Sequence, residues 1–346
     1  MKLALVGLLG SGKTTLFNVL TGANVPVAQF DVKPNLSEIR VPDDRLDKLS
    51  AIFKPKKTTP AMVRITDLPG ILPGETTAER LALVREADAL VHVVRAFDSA
   101  TYPHPLSRID PAADRVLLDL EMASADQAIV EKRAEKLRHS KGKTRFTPEN
   151  AAELDAIEAV LAPLIAKKSL AGVELPDAAW AQLRSFALLM KKPQLIAVNL
   201  DERALEQRFF PGDPAVLHLP AKLEADLLTL DVAERAMFME EMGLKAYTRD
   251  ELIRRAYDLL GLHVFFTVGE DECRAWTIPK GADAVEAAAC IHTDLARGFI
   301  RAEVVSYADF SRLGSMAKAR EAGRFRLEGK EYVVQDGDIV HVRSGV

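Results

Sequence analysis

The sequence is poor in cysteine and lacks long uninterrupted apolar runs. Two of its 346 residues are cysteines, Cys273 and Cys290, and neither belongs to a CxxC pair, so neither a disulfide framework nor a cysteine-rich zinc site is expected. No apolar stretch approaches the roughly 18 residues that are needed to span a bilayer. The apolar start of the chain breaks at Gly7 before any cleavage signal for export. These absences predict a cytoplasmic protein without a membrane partner.

An excess of either charge is also lacking. Lysine and arginine together number 46, aspartate and glutamate number 50, and the formal net charge is −4. Any contact with nucleic acid would therefore use a local basic patch and not the whole surface, and no DNA specificity is expected. The apolar share of 48% supplies enough side chains for a sizeable buried core. The sequence does not decide the oligomeric state, and a monomer is favoured.

A segment near the N-terminus carries a specific phosphate-binding pattern. It matches G-x-x-x-x-G-K-[ST] from Gly7 to Thr14, between an apolar strand at residues 3–6 and a helical stretch that stops near Gly22. The glycines allow backbone N–H groups to turn inward around phosphate oxygens, and the helix adds its positive N-terminal end. A chance glycine-rich turn is the alternative, but it does not require the flanking strand and helix. The predicted phosphate-binding residues are Gly7, Leu8, Leu9, Gly10, Ser11, Gly12, Lys13, Thr14 and Thr15.

A second pattern, D-x-x-G from Asp67 to Gly70, follows another apolar strand. Alone it is usually a turn, but after a phosphate loop it is typical of the switch in P-loop GTPases. We expect Lys13 to contact the β- and γ-phosphates, Thr14 and Asp67 to hold Mg²⁺, and the Gly70 N–H to face the γ-phosphate. Lys13, Gly70 and Glu75 form the predicted catalytic set, with a solvated loop glutamate as the alternative for Glu75.

The segment expected to bind the base departs from the guanine pattern N-K-x-D. Asn199 is in place after a buried strand, but Leu200 replaces the lysine that packs over the base, and Glu202 is too long to meet the guanine edge. Ala221 and Lys222 resemble the S-A-K loop that closes over the base. The alternative is an ordinary strand end with a polar cap. Together these residues predict a base site that is not built for guanine.

The alternation of strands with helices predicts an α/β fold with a parallel sheet. Two long helices, at residues 111–139 and 148–168, are predicted to form an inserted antiparallel hairpin. After residue 260, short strands and an alanine-rich helix predict a small α+β domain. The predicted organisation is a P-loop NTPase domain of the GTPase type at residues 1–110 and 180–260, a helical hairpin at 111–179, and the small domain at 261–346.

Basic residues concentrate near the end of the first hairpin helix. Residues 131–146 hold seven lysines and arginines against two glutamates, a local charge of +5 on a chain of net charge −4. Such a patch can neutralise RNA phosphates, while a solvated helix end is the alternative. The predicted RNA contacts are Lys136, Arg138, Lys141, Lys143 and Arg145.

Beyond these parts, an ordered set of segments resembles the YchF-type ATPases of the Obg branch of P-loop GTPases. Besides the phosphate loop and the N-x-x-E at Asn199 and Glu202, the segments are residues 33–35, 41–46, 91–97, 274–277, 291–294, 298–304, 321–323 and 334–338. Two positions depart from the family pattern. Gly10 stands where the family usually has an asparagine that helps to hold a monovalent cation, and Asp31 stands where it often has a threonine.

The resemblance implies that residues 261–346 form a β-grasp-like, TGS-containing domain. It also implies that the protein binds ATP with Mg²⁺, binds GTP more weakly, and hydrolyses ATP slowly to ADP and phosphate. Association with the ribosome or ribosomal RNA is the implied partner interaction. A non-catalytic, nucleotide-gated module that binds the ribosome and retains only vestigial hydrolysis is the alternative.

Overall fold

The computed structural model describes residues 2–27, 33–74, 78–142, 146–242, 244 and 247–345. Two compact units are present, one formed by Met1–Ser37 with Arg64–Leu252 and the other by Glu38–Val63 with Ile253–Val346. Each unit therefore contains two separate stretches of the chain.

The strands of the described residues form two six-stranded sheets. In chain order they are β1 Lys2–Val6, β2 Asn35–Arg40, β3 Lys57–Thr59, β4 Met62–Asp67, β5 Ala89–Ala96, β6 Gln194–Leu200, β7 Val216–Leu219, β8 Leu262–Thr267, β9 Glu272–Pro279, β10 Phe299–Ser306, β11 Arg326–Glu328 and β12 Asp338–Ser344. The first sheet has the order β2-β4-β1-β5-β6-β7, and the second has the order β11-β10-β12-β8-β9-β3.

The helices in chain order are α1 Lys13–Thr21, α2 Asp44–Phe53, α3 Ala78–Arg85, α4 Pro111–Ser140, α5 Pro148–Ile165, α6 Asp177–Leu183, α7 Ala221–Leu227, α8 Val232–Glu241, α9 Thr248–Leu259, α10 Ala284–Ile291, α11 Thr293–Arg297, α12 Tyr307–Leu313 and α13 Met316–Glu321. Short 3-10 turns occupy Arg184–Phe186 and Leu189–Lys191. Within the described ranges, no helix combines the length and the apolar character that crossing a membrane requires.

The first sheet places the segments that follow β1, β4 and β6 at one edge. β1 pairs in parallel with β4 and with β5, and β5 pairs in parallel with β6. Because the carboxyl ends of parallel strands meet at the same edge, the segments after β1, β4 and β6 emerge together. Every residue of β5 is buried, as expected for a central strand covered on both faces. The parallel sheet predicted from the sequence is confirmed.

The two long helices predicted from the sequence are present as α4 and α5. The Asp110 side chain caps α4 by accepting a hydrogen bond from the Ala113 N–H, and Thr147 and Asn150 form a capping box at the start of α5. The helices share an apolar core whose buried members include Leu118, Met122, Val130, Ala134 and Leu137 on α4 and Leu154, Ile157, Val160 and Leu164 on α5. The apolar spacing therefore identified both helices.

A buried carboxylate anchors α4 to neighbouring segments. Asp126, which is fully buried, accepts hydrogen bonds from Arg85 Nη1 at 2.7 Å and from the Met190 N–H at 2.9 Å. Arg85 Nη1 also donates to the carbonyl oxygens of Phe186 and Ala187. Such a charged, hydrogen-bonded pair fixes the position of a helix because breaking it would leave a buried charge unpaired.

The second unit has a mixed sheet that includes a strand from early in the chain. β3 pairs in parallel with β9, with Lys57 opposite Glu272, and this pairing places residues 38–63 with the C-terminal part. The sequence-based boundaries assigned these residues to the nucleotide-binding domain, because a three-residue strand leaves no readable pattern. Near residue 333, the described backbone forms a single bridge, between Val333 and Asp283.

We expect His92, in the centre of β5, to make the first unit less stable at acidic pH. It is 1% exposed, and neither ring nitrogen has a hydrogen-bond partner among the described residues. Burial, with Arg115 and Lys13 nearby, lowers the pKa of His92 to about 3. The unfolded chain has a histidine pKa of about 6.5, so the unfolded state binds more protons between these two values. Stability is therefore lost as pH falls below about 6.5.

We expect this group to lower the free energy of unfolding by about 1.4 kcal/mol at pH 5.5 relative to pH 8. His92→Leu should remove that share of the pH dependence. Urea unfolding of the wild type and of the variant at both pH values provides the measurement. An equal loss of stability in the two proteins on acidification would show that His92 is not the cause.

Candidate nucleotide-binding site

The predicted phosphate loop connects β1 to α1 in a conformation that depends on its glycines. Gly10 and Gly12 have φ angles of 74° and 91°, in the region that side chains avoid. Gly12 is the N-cap of α1, and none of the described side chains caps this helix end. The first N–H groups of a helix have no acceptor within the helix. The amides at the start of α1 are therefore suited to bind an anion.

Lys13 lies across the loop that contains it. Its ammonium donates hydrogen bonds to the carbonyl oxygens of Leu8 at 2.9 Å and Gly7 at 3.2 Å, and the residue is 6% exposed. Burial lowers the pKa of Lys13 to about 8, although Asp67 opposes the shift. A phosphate group near this nitrogen would favour the charged form.

Thr14 and Asp67, the two predicted Mg²⁺ ligands, are in direct contact. The Thr14 hydroxyl donates to Asp67 Oδ2 at 2.8 Å, and Asn35 Nδ2 donates to the same oxygen at 3.2 Å. A hydroxyl and a carboxylate are the hard oxygen ligands that Mg²⁺ prefers. Among the described residues, no group of three or more His, Cys, Asp or Glu could hold a metal ion. Two such ligands would leave the other positions around an ion to water and nucleotide phosphates, which is how Mg²⁺ is usually held.

The predicted switch segment lies against the phosphate loop. The Leu9 N–H donates to the Ile71 carbonyl at 3.0 Å, and the Ile71 N–H donates to the Gly7 carbonyl at 3.1 Å. A Cβ atom at Gly70 would lie 2.7 Å from Leu9 Cα, so only glycine fits at this approach. Arg80 Nη1 donates to the Gly70 carbonyl at 2.7 Å. The structure thus brings the D-x-x-G segment and the phosphate loop together.

Two residues named in the sequence analysis have no described placement. Glu75, the third member of the predicted catalytic set, and Asp31 both lie outside the described residues. Their roles stay predictions.

Asn199 joins the phosphate loop to the predicted base loop. Its Nδ2 donates to the Ser11 carbonyl at 3.2 Å, and its Oδ1 accepts from the Ala221 N–H at 3.1 Å. Asn199 is 4% exposed. Both contacts use the planar amide as donor and acceptor at once, which a carboxylate in its place could not do.

The other predicted base-site residues have different surroundings. Leu200 is 4% exposed and belongs to an apolar cluster that includes Val94 and Val216. The Glu202 side chain is exposed, and Lys222 is exposed and forms an ion pair with Asp226. Of the predicted set, Asn199 contacts the phosphate loop and Ala221 contacts Asn199, while Leu200 packs in an apolar cluster.

Arg95 contacts the phosphate loop and was not predicted as a site residue. It is 1% exposed, its Nη1 donates to the Gly10 carbonyl at 3.1 Å, and its Nε donates to the Phe97 carbonyl at 3.0 Å. The guanidinium carbon lies 4.5 Å from the centre of the Phe97 ring. Burial lowers the pKa of Arg95, while Asp98 and Asp114 oppose that shift. An arginine in a strand whose every residue is buried is the signal that could have found it.

The predicted RNA contacts lie at the end of α4 where the structure describes them. Lys136, Arg138 and Lys141 are exposed, and Arg138 forms an ion pair with Glu158 at 3.0 Å. Lys143 and Arg145 lie outside the described residues.

Comparison with known families and proteins identifies the chain. The family model "50S ribosome-binding GTPase" matches residues 2–131, and the model YchF-GTPase_C, described as a protein of unknown function, matches residues 262–345. A Bacillus subtilis relative named "Ribosome-binding ATPase YchF" is 39% identical over 362 residues, which cover 99% of this chain and 98% of the relative. The chain belongs to the YchF family. An Escherichia coli O157:H7 relative of the same name is 36% identical over 358 residues, covering 98% of each chain.

A solved structure supports the same assignment. The Schizosaccharomyces pombe YchF GTPase shares 32% sequence identity with this YchF-family chain, with a TM-score of 0.85. The match covers 99% of this chain and 97% of the other. The predicted fold class, a P-loop GTPase domain with a C-terminal α+β domain, is confirmed, and so is the resemblance on which the functional expectations rest.

Proposed function

We propose that this protein binds ATP with Mg²⁺ at the site around residues 7–14, hydrolyses it slowly and associates with the ribosome. The observation that carries the proposal is the contact between Thr14 and Asp67 beside a phosphate loop whose helix start is uncapped. That arrangement provides amides for the phosphates and hard oxygens for the ion. The names of the relatives, which describe ribosome-binding ATPases, support the reaction and the partner.

The chain's own groups account for phosphate binding. We expect the Lys13 ammonium to exchange its carbonyl contacts for the β- and γ-phosphate oxygens. Attack of water on the γ-phosphorus breaks its bond to the bridging oxygen and gives ADP and phosphate, and Lys13 and the loop amides stabilise the charge that develops. Thr14 and Asp67 would hold Mg²⁺, which supplies further neutralisation of the phosphates when it is bound.

Slow hydrolysis is expected because no polar side chain follows Gly70 directly. Ile71 occupies the position of the water-orienting glutamine of Ras-like proteins, and it is 2% exposed and bonded to the phosphate loop. The same observation favours the second candidate function, a nucleotide-gated ribosome-binding module with vestigial hydrolysis. Single-turnover hydrolysis of ATP with and without purified ribosomes separates the two. Hydrolysis that ribosomes do not accelerate above the uncatalysed rate would favour the binding module.

The base preference is tested by titrating ATP and GTP side by side in the presence of Mg²⁺. The proposal expects ATP to bind more tightly, because Leu200 supplies no cation over the base and Glu202 is longer than the aspartate that meets guanine. Tighter binding of GTP would overturn this part of the proposal. The measurement is the ratio of the two Kd values under identical ionic conditions.

Ribosome association is expected to depend on the basic end of α4. Lys136→Glu with Lys141→Glu reverses two exposed charges without changing a described ion pair. We expect co-sedimentation with ribosomes at about 50 mM salt to weaken roughly tenfold or more, with a smaller difference at high salt, because fewer phosphates are neutralised.

A matched control reverses two exposed lysines of the other unit, Lys48→Glu with Lys318→Glu. This control has the same net charge as the α4 variant. A difference in ribosome binding between the two therefore reports where the charges lie and not how many there are. Equal ribosome binding by the two double variants would show that the α4 patch is not the contact.

A further inference from the structure

Four carbonyl oxygens of the phosphate loop accept hydrogen bonds from side chains. The Gly7 and Leu8 carbonyls accept from Lys13, the Ser11 carbonyl accepts from Asn199, and the Gly10 carbonyl accepts from Arg95. Because each peptide unit is planar, a carbonyl oxygen that is held on one side turns the N–H of the same peptide to the opposite side. These side chains therefore determine which way the loop amides face.

Lys13 cannot serve as a permanent support. Its ammonium is the group that the proposed function assigns to the phosphates, so its carbonyl bonds are exchanged when nucleotide binds. Asn199 and Arg95 are then the described side chains that still hold the loop. Both come from paired strands, and Arg95 lies directly opposite Asn199 in the β5–β6 register.

The peptide between Gly10 and Ser11 is fixed at both ends. Its carbonyl accepts from Arg95 Nη1 at 3.1 Å, and its N–H donates to the Leu8 carbonyl at 3.2 Å. Gly10 has a φ of 74°, and a Cβ atom there would lie 3.1 Å from Arg95 Nη1. The guanidinium thus occupies the space next to the loop that a side chain at position 10 would need.

The burial of Arg95 also costs folding free energy. It is 1% exposed, and its Nη2 has no hydrogen-bond partner among the described residues. A buried cation with an unsatisfied nitrogen weakens a fold, so packing alone does not explain its presence. An anion bound in the adjacent loop would offset that cost, because opposite charges attract strongly in a water-poor interior.

We propose that Arg95 is a positioning residue of the nucleotide site, which holds the phosphate loop in its binding conformation and adds fixed positive charge beside the phosphates. This inference rests on the proposed function of the same site. Phe97 supports the guanidinium from one side through its ring and its carbonyl oxygen. The role acts through the loop and not through contact with the reacting atoms.

The test uses the full chain and Arg95→Met, which keeps the length of the side chain and removes the charge and the hydrogen bonds. We expect the Kd and the KM for ATP to rise about tenfold, as the loss of a charged hydrogen bond predicts, while kcat changes less. The Tm of the nucleotide-free protein should change little, because removal of the buried charge offsets the loss of the two hydrogen bonds to carbonyl oxygens. Arg95→Lys, which keeps the charge, should recover part of the affinity.

Val94→Ala serves as the structural control, because it removes buried methyl groups from the neighbouring position of β5 without touching the loop. If Arg95→Met binds ATP as well as the wild type, or no more weakly than a Val94→Ala variant of equal or lower Tm, the positioning role is overturned and the proposed function stands. If the wild type itself fails to bind ATP, both proposals are overturned.

Discussion

Replacing Lys13 with alanine is expected to raise the Kd for ATP by about 100-fold or more. The change removes a buried ammonium that the site can offer to two phosphate groups, and losing such charge-assisted hydrogen bonds costs about 3 kcal/mol. That energy corresponds to roughly two powers of ten in affinity. Isothermal titration with ATP and Mg²⁺ measures the effect, and Lys48→Ala, an exposed lysine of the other unit, is the control.

The affinity for ATP should also depend on pH, because the charge of the Lys13 ammonium, unlike its packing, changes with pH. The pKa of Lys13 in the free protein is lowered to about 8, whereas bound phosphate favours the charged form. Above pH 8, ATP must therefore bind with uptake of a proton, and affinity should fall about tenfold between pH 7 and pH 9. A wild-type affinity that is constant over this range, or a Lys13→Ala variant that retains ATP binding, would contradict the assignment.

Gly12→Ala is expected to abolish ATP binding through two separate effects. Residue 12 has a φ of 91°, and an L-residue with a side chain is strained there by about 1–2 kcal/mol. A Cβ atom would also lie 2.2 Å from Asn199 Nδ2, so the amide would have to leave both the Ser11 carbonyl and the Ala221 N–H. We expect the Kd for ATP to rise by at least about 100-fold, with a lower Tm because Asn199 is buried.

Gly22→Ala is the matched control at the other end of the same helix. Gly22 has a φ of 70°, and no atom of the described residues lies within 4 Å of a Cβ atom built on it. The two variants therefore share the backbone strain and differ in the clash with Asn199. Thermal unfolding with and without ATP should show a ligand-induced rise in Tm for Gly22→Ala and none for Gly12→Ala. A similar rise in both would mean that the contact with Asn199 does not support the site.

The parts of the site that could be predicted from the sequence are those with local spacing. Gly7 to Thr14 and Asp67 to Gly70 were identified because a loop that surrounds phosphate needs certain residue types at fixed intervals. The structure places both segments in contact, and Asn199 donates a hydrogen bond to the Ser11 carbonyl of the phosphate loop.

The parts that escaped prediction depend on contacts between distant residues. Arg95 reaches Gly10 across 85 positions of sequence, and no local pattern specifies that pairing. Leu200 was considered only as a missing lysine, whereas the structure shows that its side chain fills an apolar cluster. A charge introduced there would be buried, so Leu200→Lys would test stability as much as base preference.

The short strand β3 has a consequence for how the protein is made. Lys57 is paired with Glu272, which a ribosome adds 215 residues later. At a synthesis rate of about 5–20 residues per second, residues 38–63 wait roughly 10–40 seconds for their partner strand. During that interval, the backbone groups of Lys57–Thr59 that later pair with β9 lack that partner strand, and unpaired strand edges are prone to aggregation.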